Sequence, residues 1–217
     1  MAGLTQGQII TPQARGHIRA FGEAGVSVKP DLAKLSIAVT AQAATAQEAS
    51  ALNATKSTAV FAALEKVLGA NGEIKTISYT LSPNYTYPRD SAPVLTGFTA
   101  TNMVEVTVSN LNLTGGLIDT AISAGATRVD SLRLLLKDEE PSRAQVLRMA
   151  GQKARARAEA IASGLGVRVG PLLSAEEGFV YRITADSRAA APAATTPIET
   201  GSLEVRAQIT VEYETLP

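Results

Sequence analysis

Apolar and polar residues alternate in "LAKLSIAVTAQ", Leu32 to Gln42, where Lys34, Ser36 and Ala38 separate Leu35, Ile37 and Val39. A period of two marks a half-buried strand. The same texture begins at His17, and Pro30-Asp31 interrupts it, so the pattern predicts strands over 17–28 and 32–43. Alternation stops at "TAQE", Thr45 to Glu48, which has the spacing of a capping box. Ala49, Leu52, Ala59, Val60, Ala63, Leu64 and Val67 then recur at helical intervals and predict one buried stripe. Gly69 stops this helix, with Asn71-Gly72 beyond it. Strand character returns in "EIKTISYTLSPNYTY", breaks for a loop over 88–96, and resumes in "GFTATNMVEVTVS".

The rest of the chain repeats this order. A short helix near Leu113 to Ala124 ends at Gly125, and "TRVDSLRLLLKD" reads as a strand offering Val129, Leu132, Leu134 and Leu136 to a core. A long helix runs from about Pro141 to Leu165. "GVRVGPLLSAEEGFVYRI" supplies one or two strands, the Ala/Pro/Thr-rich stretch 184–200 a flexible loop, and "SLEVRAQITVEYE" a final strand. Both helices end in "LG", at Leu68-Gly69 and Leu165-Gly166. Both late loops carry "DS" and "TG", at Asp90-Ser91 and Thr96-Gly97 and again at Asp186-Ser187 and Thr200-Gly201. The reading is two β-α-β-β units, about 17–110 and 111–217, bridged by the short helix and preceded by a flexible arm over 1–16.

The long helix carries "KARARAEAIASGLGV", Lys153 to Val167, whose cations suggest a basic strip. On a helical wheel Leu147, Ala150, Ala154, Ala158, Ile161 and Leu165 form one apolar stripe. Lys153 and Arg157 flank it on one side, Arg148 and Arg155 on the other. That distribution suits a helix packed on a sheet, with long stems along its rim and charged heads in water. Arg155 and Glu159 add an (i, i+4) pair.

Composition narrows the chemistry. With 45% hydrophobic and 18% charged residues the 217-residue chain should fold. Lys+Arg and Asp+Glu are both 20, so there is no global field to draw in polyanions. The absence of cysteine excludes disulfides, thiolate nucleophiles and Cys-ligated metals. No run approaches the roughly 18 apolar residues of a membrane helix. "MAGLTQGQIITPQARG" has neither the basic nor the apolar region of a secretion signal.

His17 is the only histidine; a Ser-His-Asp triad would have to use it, and no G-x-S-x-G elbow is present. It reads as a strand-end imidazole. Glu139-Glu140 and Glu176-Glu177 are adjacent acids that point in different directions, not an acid/base dyad. "GLGVRVG", Gly164 to Gly170, runs from helix to strand, the reverse of a phosphate-cradling loop. Tyr79, Tyr85 and Tyr87 lie along one strand face or edge and read as packing or interface residues. No catalytic, cofactor-binding or metal-binding residue is assigned, and no cofactor is expected.

Longer stretches carry a resemblance. "GEAGVSVKPDLAKLSIAVTAQAATAQEA", "NATKSTAVFAALEKVLGANGEIKTISYTLSPNY", "GFTATNMVEVTVSNL", "GLIDTAISAGATRVDSLRLLLKD" and "ARARAEAIASGLGVRVG" resemble the SIMPL-domain family over nearly all of 18–214. Its bacterial members include periplasmic immunogenic proteins. The resemblance implies an α+β fold, export to the periplasm or cell envelope, and self-association in at least some relatives. It carries no catalytic residues; its associations are with envelope and oxidative-stress defence in bacteria and with kinase signalling in a eukaryotic relative. Pattern residues Pro30, Asp31, Gly97, Asp119, Gly125, Asp138 and Gly166 read as turns, caps and stops.

The expectation is therefore a SIMPL-like antiparallel sheet covered by helices, in a non-enzymatic envelope protein that forms a homo-oligomer, with an envelope protein as a further candidate partner. Strands 74–87 and 170–183, with loops 88–96 and 184–200, are the expected contact surfaces, because open edges invite pairing. A small-ligand-binding module or a hydrolase is the alternative, and would need a pocket gathering His17 or acids such as Glu176. Nucleic-acid binding through Arg148, Arg155 and Arg157 is the third reading.

Overall fold

A computed structural model describes residues 16–89, 92–184 and 196–217, with 179–184 described by their main chain. Residues 1–15 of the expected arm over 1–16, the Asp90-Ser91 mark and the loop interior 185–195, with Asp186-Ser187, lie outside the described residues. The elements run β1 (His17–Val28), β2 (Leu32–Ala43), α1 (Ala46–Leu68), β3 (Gly72–Thr86), β4 (Val94–Val108), α2 (Thr114–Ser123), β5 (Arg128–Leu135), α3 (Glu140–Gly164), β6 (Arg168–Thr184) and β7 (Ser202–Leu216). The architecture is α+β, with two antiparallel sheets and helices. Thr86 pairs with Val94, so β4 begins earlier than the sequence pattern suggests and the 88–96 loop is correspondingly shorter.

The β-α-β-β order recurs along the chain as β2-α1-β3-β4 and β5-α3-β6-β7. In space, β5 joins the sheet of the first group, giving the order β3-β4-β2-β5, and β1 joins the second, giving β1-β7-β6. Contacts divide the chain into two compact units. One holds the described residues up to Ser27 with Glu140–Arg182 and Glu204–Pro217; the other holds Val28–Glu139 and Ile183–Leu203.

In the unit of the four-stranded sheet, β2 is a central strand held by β4 and β5. Its alternating Leu35, Ile37 and Val39 are fully buried with Val104, Val106 and Val108 of β4. The Thr45 hydroxyl accepts from Glu48 N at 3.2 Å and so starts α1, which stops at Gly69 with a positive φ of 53°. The buried face of α1 is Ala49, Asn53, Ser57, Val60, Leu64 and Leu68. Leu52, expected in that face, is 48% exposed, and Ala59 is exposed too. The true row contains two polar residues, so a reading that scores only apolar positions slides the face sideways. Asp31 tethers the β1–β2 turn to the end of β5, accepting from Lys137 N at 2.7 Å while Asp31 N donates to Leu135 O. The Asp119 carboxylate on α2 accepts from both Thr196 N and Thr196 Oγ1.

In the unit of the three-stranded sheet, α3 packs on β1 and β7 through Ala154, Ala158 and Ala162, against Ile18, Ala20 and Val211. The full buried row is Val146, Ala150, Ala154, Ala158 and Ala162, one residue every fourth. Such rows incline to the helix axis. Ile161 and Leu165, expected in the stripe, are therefore carried out to solvent, 42% and 69% exposed. Alanines serve along most of the seam, and at Gly22 the main chain of α3 lies directly on β1. A Cβ at Gly22 would overlap the Ala150 carbonyl oxygen and the Ala154 nitrogen.

Candidate functional site

The residues with catalytic potential lie at the surface, where His17 and Ser174 both reach Glu212, and Glu140 and Glu177 both reach Arg143. His17 Nε2 lies 3.1 Å from Glu212 Oε1, with the imidazole more than half exposed. Glu176 pairs with Arg19 at 3.7 Å, whereas its neighbour Glu177 pairs with Arg143 at 2.7 Å. Arg143 also faces Glu140 at 3.7 Å. Among the described residues no three His, Asp or Glu side chains are placed to hold a metal ion. A groove of about 380 Å³ is lined by Ala43, Glu48, Ala51, Leu52 and Thr55; a more polar one of about 320 Å³ includes Asn71, Glu73, Ser109 and Lys137. Neither gathers His17 or several acids. No helix among the described residues is long and apolar enough to cross a membrane.

The cations of α3 are distributed by their partners. Arg155 Nε bonds Glu159 Oε1 at 2.9 Å, and Arg148 is exposed. Lys153 and Arg157, expected to end in water, instead reach main-chain oxygens of β1. Lys153 Nζ donates to Glu23 O at 3.0 Å and Arg157 Nη1 to Phe21 O at 2.9 Å. Nothing in the spacing of "KARAR" announces those acceptors, since they belong to a strand about 130 residues earlier.

Two polar clusters tie the four-stranded sheet together. On one face, Glu105 accepts from Lys34 at 2.7 Å and Arg133 at 2.9 Å. The Lys34 hydrogen bond, backed by the charge of both cations, holds the Glu105 carboxyl below its ordinary 4.5, although partial burial opposes this. A depressed carboxylate stabilises the fold at neutral pH and loses that contribution as pH falls through its folded-state value. The stability gap between wild type and Glu105→Gln should accordingly narrow as urea midpoints are taken from pH 7 to below about 4. A gap constant with pH would refute the assignment.

On the face toward α1, Asn53 is fully buried. Its Nδ2 donates to Val39 O at 2.7 Å and to Ala100 O at 3.0 Å, on two neighbouring strands. Ser57 Oγ donates to Asn53 Oδ1 and accepts from Asn102 Nδ2, each at 3.3 Å. The (i, i+4) spacing of Asn53 and Ser57 was the available signal for this cluster.

What the sheets leave open are their edges. β3 is an outer strand, and Tyr79 and Leu81 stand opposite Asn102 and Ala100, on the side that α1 covers. The helix reaches β3 at Ser50, whose Oγ is 2.8 Å from Tyr79 Oη. Even so, Tyr79, Leu81 and Tyr85 are 49%, 40% and 49% exposed, and Tyr87 beyond the strand is still more open. On β6, the other sheet's outer strand, Leu172 and Leu173 are more than half exposed. Adjacent leucines point to opposite faces, so both faces of β6 are open at that level.

The SIMPL family model, described as a protein of unknown function (DUF541), matches residues 18–213. The chain belongs to the SIMPL family. This SIMPL chain is 28% identical over 205 residues to the uncharacterized protein YggE of Edwardsiella ictaluri strain 93-146, covering 91% of itself and 83% of that relative. It is 26% identical over 176 residues to the 26 kDa periplasmic immunogenic protein of Brucella melitensis biotype 1, covering 79% and 70%. Against the uncharacterized YggE of Escherichia coli K12 the identity is 27% over 158 residues, covering 73% and 64%.

Proposed function

We propose that this SIMPL-family chain is a non-enzymatic protein of the periplasm or cell envelope that assembles with copies of itself through open strand edges. The observation that carries assembly is the outer strand β3, whose edge pairs with no other strand among the described residues and lies beside the half-exposed Tyr79, Leu81 and Tyr85. Main-chain pairing supplies affinity at such an edge, and the flanking apolar side chains supply register. The names of the Brucella relatives support the compartment. The non-enzymatic reading is supported by the placement of His17, Glu140, Glu176 and Glu177 in surface ion pairs, outside both grooves. A place in envelope or oxidative-stress defence follows the family resemblance.

Light scattering across a concentration series tests assembly. The wild-type particle should exceed the 22.5 kDa of one chain, and Leu81→Lys should weaken association by about tenfold or more. A wild-type monomer at high concentration would overturn the proposal.

A further inference from the structure

We infer that Lys153 and Arg157 close the β1 edge against a further strand, so that copies of this chain meet through other edges; the role of this closure rests on the assembly reading above. β1 is the outer strand beside β7. Thr215 N donates to Gly16 O, so in a regular antiparallel ladder the even-numbered main-chain groups face β7 and the odd-numbered ones face outward. Phe21 O and Glu23 O are two successive outward acceptors, and the two cations of α3 occupy both.

The path of Arg157 supports this geometry. Ala20 is buried toward α3, and Phe21, next in the strand, is on the opposite face and half exposed. The Arg157 guanidinium nevertheless lies 4.5 Å from the centroid of the Phe21 ring. It wraps round the edge, bonding the carbonyl and stacking on the far side. An incoming strand would have to displace two charge-assisted hydrogen bonds and pass two long side chains. Charged residues placed on an edge are a device against unwanted pairing. By contrast, among the described residues no side-chain donor bonds a carbonyl of β3 between Gly72 and Pro83. Among the described residues, the edge bearing exposed Tyr79 and Leu81 is open where β1 is shut.

The test is amide hydrogen exchange of β1 read with particle mass, for wild type and for Lys153→Met/Arg157→Met, whose side chains keep apolar stems along the α3 rim. In wild type, exchange at Phe21 and Glu23 should be fast and independent of protein concentration. In the double variant those amides should slow roughly tenfold or more as concentration rises, with growth of the particle. The charge-retaining swap Lys153→Arg/Arg157→Lys should behave as wild type. If the double variant does not fold, Lys153→Met and Arg157→Met alone should give the same concentration-dependent protection in smaller degree.

Unchanged β1 exchange in a folded variant would overturn the inference. Concentration-dependent protection of β1 in wild type would do the same. A monomeric wild type would instead sink the assembly proposal while leaving the variant's β1 protection readable.

Discussion

Gly22→Val should destabilise the unit built on β1 and α3 by about 3 kcal/mol, in the upper range for an overpacked core. Even the first carbon of a side chain would overlap the Ala150 oxygen and the Ala154 nitrogen. Both are main-chain atoms inside a helix, and neither can rotate away. Relief requires lifting α3 from the sheet, which separates Ala154, Ala158 and Ala162 from Ile18, Ala20 and Val211. Gly164→Ala is the control: nothing lies within 4 Å of its added carbon, and the change should stay within about 0.5 kcal/mol. Urea unfolding reads both. A Gly22→Val midpoint equal to wild type would mean that the helix does not sit on the strand as described.

Asn53→Ala is the second large effect, with an expected loss of roughly 2–4 kcal/mol. The side chain removed is small, so lost apolar burial contributes little. What remains is Val39 O and Ala100 O without the side-chain donor they shared, and Ser57 without its acceptor. The Asn102 side-chain oxygen Oδ1 already lacks a partner among the described residues, so the cluster has little spare capacity to rearrange. Ser57→Ala should cost less, about 1 kcal/mol, because it leaves both carbonyl contacts in place. An Asn53→Ala loss below about 0.5 kcal/mol would show that other donors serve those oxygens equally well.

β1, β2 and much of β7 were legible because their burial alternates. Leu35, Ile37 and Val39 announce β2 and lie in the core, and Thr45 and Gly69 delimit α1 where capping chemistry places its ends. The candidate edges were legible as strands as well. The faces of the helices were not: Asn53 and Ser57 look like surface residues, and their acceptors arrive from two strands that only the folded sheet juxtaposes. Ile161 and Leu165 failed as core positions because a row of alanines inclined to the axis replaces a stripe parallel to it. Local spacing also does not disclose which sheet a strand enters. β5 precedes α3 in sequence yet pairs with β2, through contacts such as Leu35 with Leu132.

The adjacency of β1 and β7 sets an order of events for a growing chain. β1 is the first strand among the described residues, and its neighbour spans Ser202–Leu216, so its ladder waits until about 180 further residues have emerged. The four-stranded sheet can be completed with β5, more than 60 residues sooner. Until β7 arrives, β1 has no strand partner among the described residues, and a chain in that state is exposed to mispairing.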